Sequence, residues 1–113
     1  MIVENITTAF TVSCIVQIFH SLEEIFNHFE KRWSLWKTSR ATFVTFEVLF
    51  SLLFLYTLLF QPSFYAAFAK AFLLLMFANG VWHLFWGWSD RRYVPGLITA
   101  PFHILNSAIY FLS

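Results

Sequence analysis

Charge is what this sequence has least of. Only 12% of its 113 residues are Asp, Glu, Lys or Arg, and the formal net charge is +1. An ordinary soluble domain carries about 25% charged residues. A nucleic-acid surface needs a basic patch that so small a net charge does not supply, so no nucleic-acid partner is expected. Cysteine is nearly absent too. The single Cys14 lies inside an apolar run, which excludes a disulfide framework and leaves the redox compartment open. Four histidines are too few for the His-rich boxes of membrane desaturases. No basic side chain occurs in residues 1–5, which speaks against a cleaved signal peptide and for a first apolar segment retained as a helix. The sequence shows no internal repeat and no low-complexity tract, and its length is that of one domain.

What the chain does have is apolar surface. It is 59% hydrophobic, with sixteen Phe and five Trp, more than a soluble protein of this size could hide. The surplus must face something apolar, and lipid is the simplest choice. Four apolar segments are legible, at residues 6–19, 41–60, 64–86 and 97–112. A membrane span needs about 20 residues, so the second and third qualify directly. The first reaches that length if its helix continues through His20-Ser21-Leu22-Glu23-Glu24, and the fourth if Pro95 or Gly96 begins it. Gln61-Pro62-Ser63 is short enough to force an antiparallel hairpin, with Pro near a helix start. In residues 25–40, Ile25, Phe29, Trp33 and Trp36 recur at helical spacing between charged residues, the pattern of a helix lying in a membrane interface. The expected fold is all-α: a four-helix transmembrane bundle with an amphipathic interfacial segment between helices 1 and 2.

Six of the seven cationic side chains, Lys31, Arg32, Lys37, Arg40, Arg91 and Arg92, fall in the first and third connections. Four spans put those connections on one side. The positive-inside rule makes that side cytoplasmic, leaves both termini outside, and suits an integral protein of a bacterial inner membrane. Trp33, Trp36, Trp86, Trp88 and Tyr93 form an aromatic belt at the same rim. Lys70 lies near the opposite end of its span and can snorkel outward.

The polar residues inside these spans share one depth. At about 1.5 Å per residue, Glu47 lies roughly 10 Å inside Arg40, Glu24 roughly 10 Å inside Lys31 and His83 about 12 Å inside Arg91. His20 and His103 lie roughly 16 Å from Lys31 and Arg92 along a helix. Rotation agrees with depth. Gln17, His20, Glu24 and Asn27 share a stripe, Asn79 and His83 stack at i and i+4, and Thr99, His103 and Asn106 form a third stripe. Ionisable groups are costly within a bilayer, so their clustering is a site hypothesis by default.

Bundle cores build metal sites from Glu and His on facing helices. The arrangement His20-x-x-Glu23-Glu24 resembles an inverted HExxH zinc motif, with Glu24 in the second ligand slot and Glu23 as general base. The candidate ligands are therefore His20, Glu24, His83 and His103, and the candidate catalytic groups are Glu23, Glu47, Asn79 and Thr99. Glu47 would bridge a second ion or act as acid, while Asn79 and Thr99 would orient substrate or a ligand. The His and carboxylate set favours zinc, with iron second.

Three short motifs in order resemble those of the HXXEE family of small integral membrane proteins. The first is His20-Ser21-Leu22-Glu23-Glu24. The second is Asn79-Gly80-Val81-Trp82-His83, with Gly80 where the family usually has Ala. The third is Tyr93-Val94-Pro95-Gly96-Leu97-Ile98-Thr99. The resemblance implies functional positions at His20, Glu23, Glu24, Asn79, His83, Tyr93, Pro95, Gly96 and Thr99. It supplies no substrate and leaves Glu47 and His103 to the depth argument.

The leading expectation is a membrane-embedded metal-dependent hydrolase of a lipid or other apolar small molecule, in which a bound metal makes hydroxide available near neutral pH. A metal-free acid–base isomerase of an apolar substrate is the alternative, with Glu47 as acid. A small four-helix transporter is a third, against which stand the many off-centre polar groups and the one-sided charge. A bundle this small has little interior, so a homodimer or a lipid-facing cleft would have to house the substrate.

Overall fold

A computed structural model describes residues 5–33 and 35–113. Residues 1–4, on which the retained-first-helix expectation draws, lie outside the described residues. Five α-helices follow one another: α1 Ile6–Phe26, α2 Phe29–Arg32, α3 Arg40–Phe60, α4 Tyr65–Asp90 and α5 Ala100–Leu112. No strand occurs among the described residues. By length and composition α1, α3 and α4 are each long and apolar enough to cross a membrane.

Local chemistry sets the boundaries. The first helix carries the whole His20–Glu24 stretch and stops where the Asn27 side chain donates to the Glu23 carbonyl at 2.8 Å and His28 turns left-handed at φ 54°. Ser39 caps α3 by accepting from the Thr42 backbone N–H at 3.1 Å. Gln61 and Arg91, both left-handed, end α3 and α4.

Two expectations need correction. The interfacial helix over residues 25–40 is only the single turn of α2, and Trp33 beyond it is extended. Two of its aromatic side chains fold inward while Trp36 stays exposed: Phe29 stacks on Phe43 at 5.0 Å, and Trp33 meets Trp86 edge-on at 5.7 Å. The segment is tied down by Arg40, which donates to the Ile25 carbonyl at 2.7 Å and to Glu30 at 3.2 Å. Burial works against the Glu30 carboxylate, yet its own backbone N–H, Arg40 and His28 outweigh it and hold its pKa below the usual range. The second correction concerns the fourth helix. It begins at Ala100, with Pro101 in its first turn, and is 13 residues long, so neither Pro95 nor Gly96 starts it. Gly96 has φ +97°, which no right-handed helix admits. Residues 93–99 form turns that fold over α1.

The tightest packing is between α4 and α5, where Gly80 lets the chains approach, and Gly87 makes room for Leu97 just before α5. A Cβ on Gly80 would lie 2.7 Å from the Ala100 carbonyl, and one on Gly87 3.0 Å from Leu97. Small residues at such contacts are the usual means of close helix association where lipid leaves no hydrophobic drive. The first helix packs on both α4 and α5, whereas α3 leans chiefly on α1 and only lightly on α4. At one end of the molecule Phe10, Phe54, Ala69 and Phe72 form an apolar core, with Phe10 and Phe72 edge-to-face at 5.3 Å. At the other end the buried residues include a polar group, His20, Ser21, Glu24, Glu47, His83 and His103, beside Phe43, Trp86 and Val94. The outward side of α3 exposes Leu49, Leu52, Leu59 and Phe60, an apolar surface compatible with lipid.

Candidate metal centre

His20 and Glu24 lie one turn apart on α1, and His83 reaches them from α4. Glu24 Oε2 is 3.5 Å from His20 Nε2 and 3.3 Å from His83 Nε2. The three residues each offer one ligand atom, and those atoms lie within 4.8 Å of one another. Two atoms bound to one tetrahedral zinc at about 2.1 Å stand about 3.4 Å apart, which is the spacing seen on both sides of Glu24. All three side chains are buried, and His20 Nε2 has no hydrogen-bond partner. A buried polar atom without a partner is costly and calls for an explanation.

Behind these residues lies a carboxylate that holds a whole turn of chain. Glu23 Oε2 accepts from the Tyr93 hydroxyl at 2.5 Å and from the backbone N–H groups of Gly96 and Ile98 at 3.0 and 3.1 Å. Glu23 Oε1 accepts from the Thr99 N–H at 3.0 Å and the Thr99 hydroxyl at 2.8 Å. These donors include N–H groups that precede α5 and lack helical partners, so Glu23 caps α5 from another helix. Outside the helices, the Tyr93 hydroxyl is itself affected. Burial, then its hydrogen bond to Glu23 and the charge there, push its pKa well above the ordinary value.

Thr99 passes this arrangement on to His20. Its hydroxyl lies 2.6 Å from His20 Nδ1. With the hydroxyl proton assigned to Glu23 Oε1, the oxygen accepts from His20 Nδ1–H. In that tautomer the Nε2 lone pair faces Glu24. A hydrogen bond of this kind behind a ligating histidine orients the ring and raises its basicity. Gly96 closes the other side: a Cβ there would lie 2.4 Å from His83 Cε1 and 2.7 Å from His20 Cε1. Only glycine satisfies both the φ and the space.

The remaining expected residues lie around this centre. His103 stands beside His20, ring centroids 5.4 Å apart, but outside the three-residue group. Its Nε2–H donates to Gln17 Oε1 at 2.9 Å, and its Nδ1 has no partner. The path from Arg92 to His103 is not helical, since residues 93–99 are turns, so the roughly 16 Å expected from helical rise does not apply to it. Glu47 accepts a hydrogen bond from Ser21. Asn79 is half-buried, with Oδ1 unpartnered. Glu47, Asn79 and Glu24 line a pocket of about 430 Å³ between α1, α3, α4 and the 29–38 segment.

Sequence reasoning did not assign Ser21 and Gln17 to the site. Gln17 donates to Ser21 at 3.3 Å, joining His103 to Glu47 in one hydrogen-bonded row. The signal was present, since Gln17 shares the His20 and Glu24 stripe and Ser21 follows it at i+4. The role of the Gly96 and Ile98 backbone N–H groups had no side-chain signature at all.

Taken together, these features describe an all-helical protein with three membrane-length helices and a buried histidine–glutamate cluster at one end. A family model described as "Protein of unknown function with HXXEE motif" matches residues 11–111. The chain belongs to the HXXEE family. No curated protein and no solved structure matches it, so function must be argued from the site.

Proposed function

We propose that this protein is a membrane-embedded, metal-dependent enzyme that hydrolyses a lipid or other apolar small molecule at the cytoplasmic leaflet. The observation that carries the reading is the spacing of His20, Glu24 and His83, 3.3 and 3.5 Å across the shared carboxylate oxygen. Three protein ligands with an open position are the pattern of a catalytic zinc, with iron second. Such an ion would lower the pKa of water enough to supply hydroxide near neutral pH.

In this reading the long helices α1, α3 and α4 cross the bilayer. The 93–99 turn and α5 complete a four-helix bundle by returning toward the N-terminal end of α1. The cationic rim around Arg32, Arg40 and Arg92 faces the cytoplasm. Glu47 and Asn79 face the pocket, where Glu47 serves as general acid or base and Asn79 orients the polar part of the substrate. Glu23 already accepts five hydrogen bonds, which suits a positioning residue better than a general base. Thr99 works with it, and His103 supports His20 from behind or completes the ligand set. One chain forms the pocket, so the reading requires no homodimer.

Metal analysis of detergent-purified protein tests this. One zinc or iron per chain is expected in wild type, lost in His83→Ala and retained in Glu47→Gln. Wild-type protein without stoichiometric metal, prepared away from chelators, would sink the proposal. The opening of Glu47 onto an apolar pocket also suits a metal-free proton transfer to a double bond. Activity undiminished in chelator would select that second reading.

A further inference from the structure

The pocket beside Glu24 has a composition that selects its occupant. Its aromatic walls come from Phe29, Trp33, Trp36, Phe43, Phe46 and Phe50. Its charged groups are of one sign, the carboxylates of Glu24 and Glu47, both buried; the neutral polar lining is Gln17, Thr38, Thr42, the unpartnered Oδ1 of Asn79 and the unpartnered Nε1 of Trp33. No Lys, Arg or His occurs among its described lining residues. An anionic head group would bring a further negative charge into a poorly solvated space with no cation to meet it. An ammonium group would find both carboxylate acceptors and aromatic faces, and a hydroxyl would find the same acceptors.

Size and access narrow the choice further. At about 30 Å³ for each water-sized group, the 430 Å³ pocket holds roughly fourteen heavy atoms. That is room for one chain or one small ring system. The walls include side chains more than half exposed at the surface: Trp36 at 63%, Phe46 at 58% and Leu75 at 54%. Phe46 belongs to α3 and Leu75 to α4, the pair that packs only lightly. The mouth therefore opens on the side of the bundle between these helices, with Trp36 at its edge nearer the cationic end.

We infer that the pocket binds a single-chain amphiphile whose head group donates hydrogen bonds, an ammonium or a hydroxyl, admitted sideways between α3 and α4. The chain lies against the aromatic walls, and the head meets Glu24, Glu47 and Asn79. This rests on the membrane-embedded reading above but not on the metal. Without an ion both carboxylates act, and with one bound to Glu24 the Glu47 and Asn79 acceptors remain.

The test uses full-length protein in nanodiscs of zwitterionic lipid, with and without chelator. The probe is a dodecylamine analogue carrying a mid-chain diazirine, and labelled residues are mapped by mass spectrometry. Saturable labelling is expected on residues 43–50 and 75–79. Dodecylamine or dodecanol should compete at a concentration at least about tenfold lower than dodecanoate, because like-charge juxtaposition costs several kcal/mol. Competition by the amine alone assigns an ammonium head, and competition by both assigns a hydrogen-bond donor in general. Glu47→Gln should reduce the amine's advantage severalfold. Leu75→Trp narrows the mouth without touching a charged group and should lower labelling even if Glu47→Gln does not fold. Equal competition by dodecanoate, or labelling spread evenly over the outward face of α3, overturns the proposal. Neither result bears on metal content, so the two readings fail separately.

Discussion

Thr99 carries one hydroxyl proton, and where it goes decides what His20 can do. Given to Glu23, it makes the threonine oxygen the acceptor for His20 Nδ1–H at 2.6 Å and leaves Nε2 as a bare lone pair. Thr99→Val removes both functions while keeping the volume. Metal affinity, measured by competition with a zinc chelator, should fall roughly 10–100-fold, the usual cost of losing a partner behind a ligating histidine. Thr99→Ser should restore it, and unchanged affinity in the valine variant would refute the tautomer assignment. Tyr93 gives a pH signature. Its hydroxyl is held protonated above the ordinary value by burial and by Glu23. A group with a raised folded pKa contributes stability that is complete below its unfolded value of about 10 and is lost as pH rises through the folded value. Thermal unfolding in detergent should therefore decline more steeply at alkaline pH in wild type than in Tyr93→Phe. Parallel declines would show that the hydroxyl contributes nothing.

Elements in this protein are shaped as much by what they must let past as by what they bury. Gly96 is the clearest case, sitting at φ +97° with both imidazoles closer than any Cβ would tolerate. Gly96→Ala combines backbone strain of order 1–3 kcal/mol with displacement of the His20 and His83 rings. It should lower both the unfolding temperature and metal content, read on the same preparation. A variant that unfolds earlier yet keeps full metal would separate the turn from the centre. The long helices were legible in the sequence because apolar runs of their length have few other uses. The shorter elements were not. Residues 25–40 carry a helical period, but Phe29 and Trp33 satisfy it by packing inward on Phe43 and Trp86, and periodicity alone cannot tell that from a helix at an interface. The 93–99 turn escaped because its acceptor, Glu23, belongs to another helix.

At the scale of the whole molecule, the shared facing of the polar groups was readable from helical rotation, whereas path lengths counted across Asn27–His28 and residues 93–99 were not helical rises, because the helices break there. His20, Glu24 and His83 come together through that shared facing, and Glu47 and Asn79 line the pocket next to them. The separate duties of Glu23 and Glu24 were not readable. Adjacent residues on a helix point about 100° apart, so one carboxylate turns to the imidazoles and the other to the 93–99 turn, and the sequence does not say which neighbour each will find.

The reach of Glu23 has a further consequence for how the chain is made. Its partners Tyr93 and Thr99 lie 70 and 76 residues downstream, so during synthesis this carboxylate waits without these donors until that later stretch of chain has emerged. A bare charge is poorly tolerated in hydrocarbon, so if α1 crosses a bilayer as proposed, its Glu23 end is seated there only once the 93–99 segment covers it.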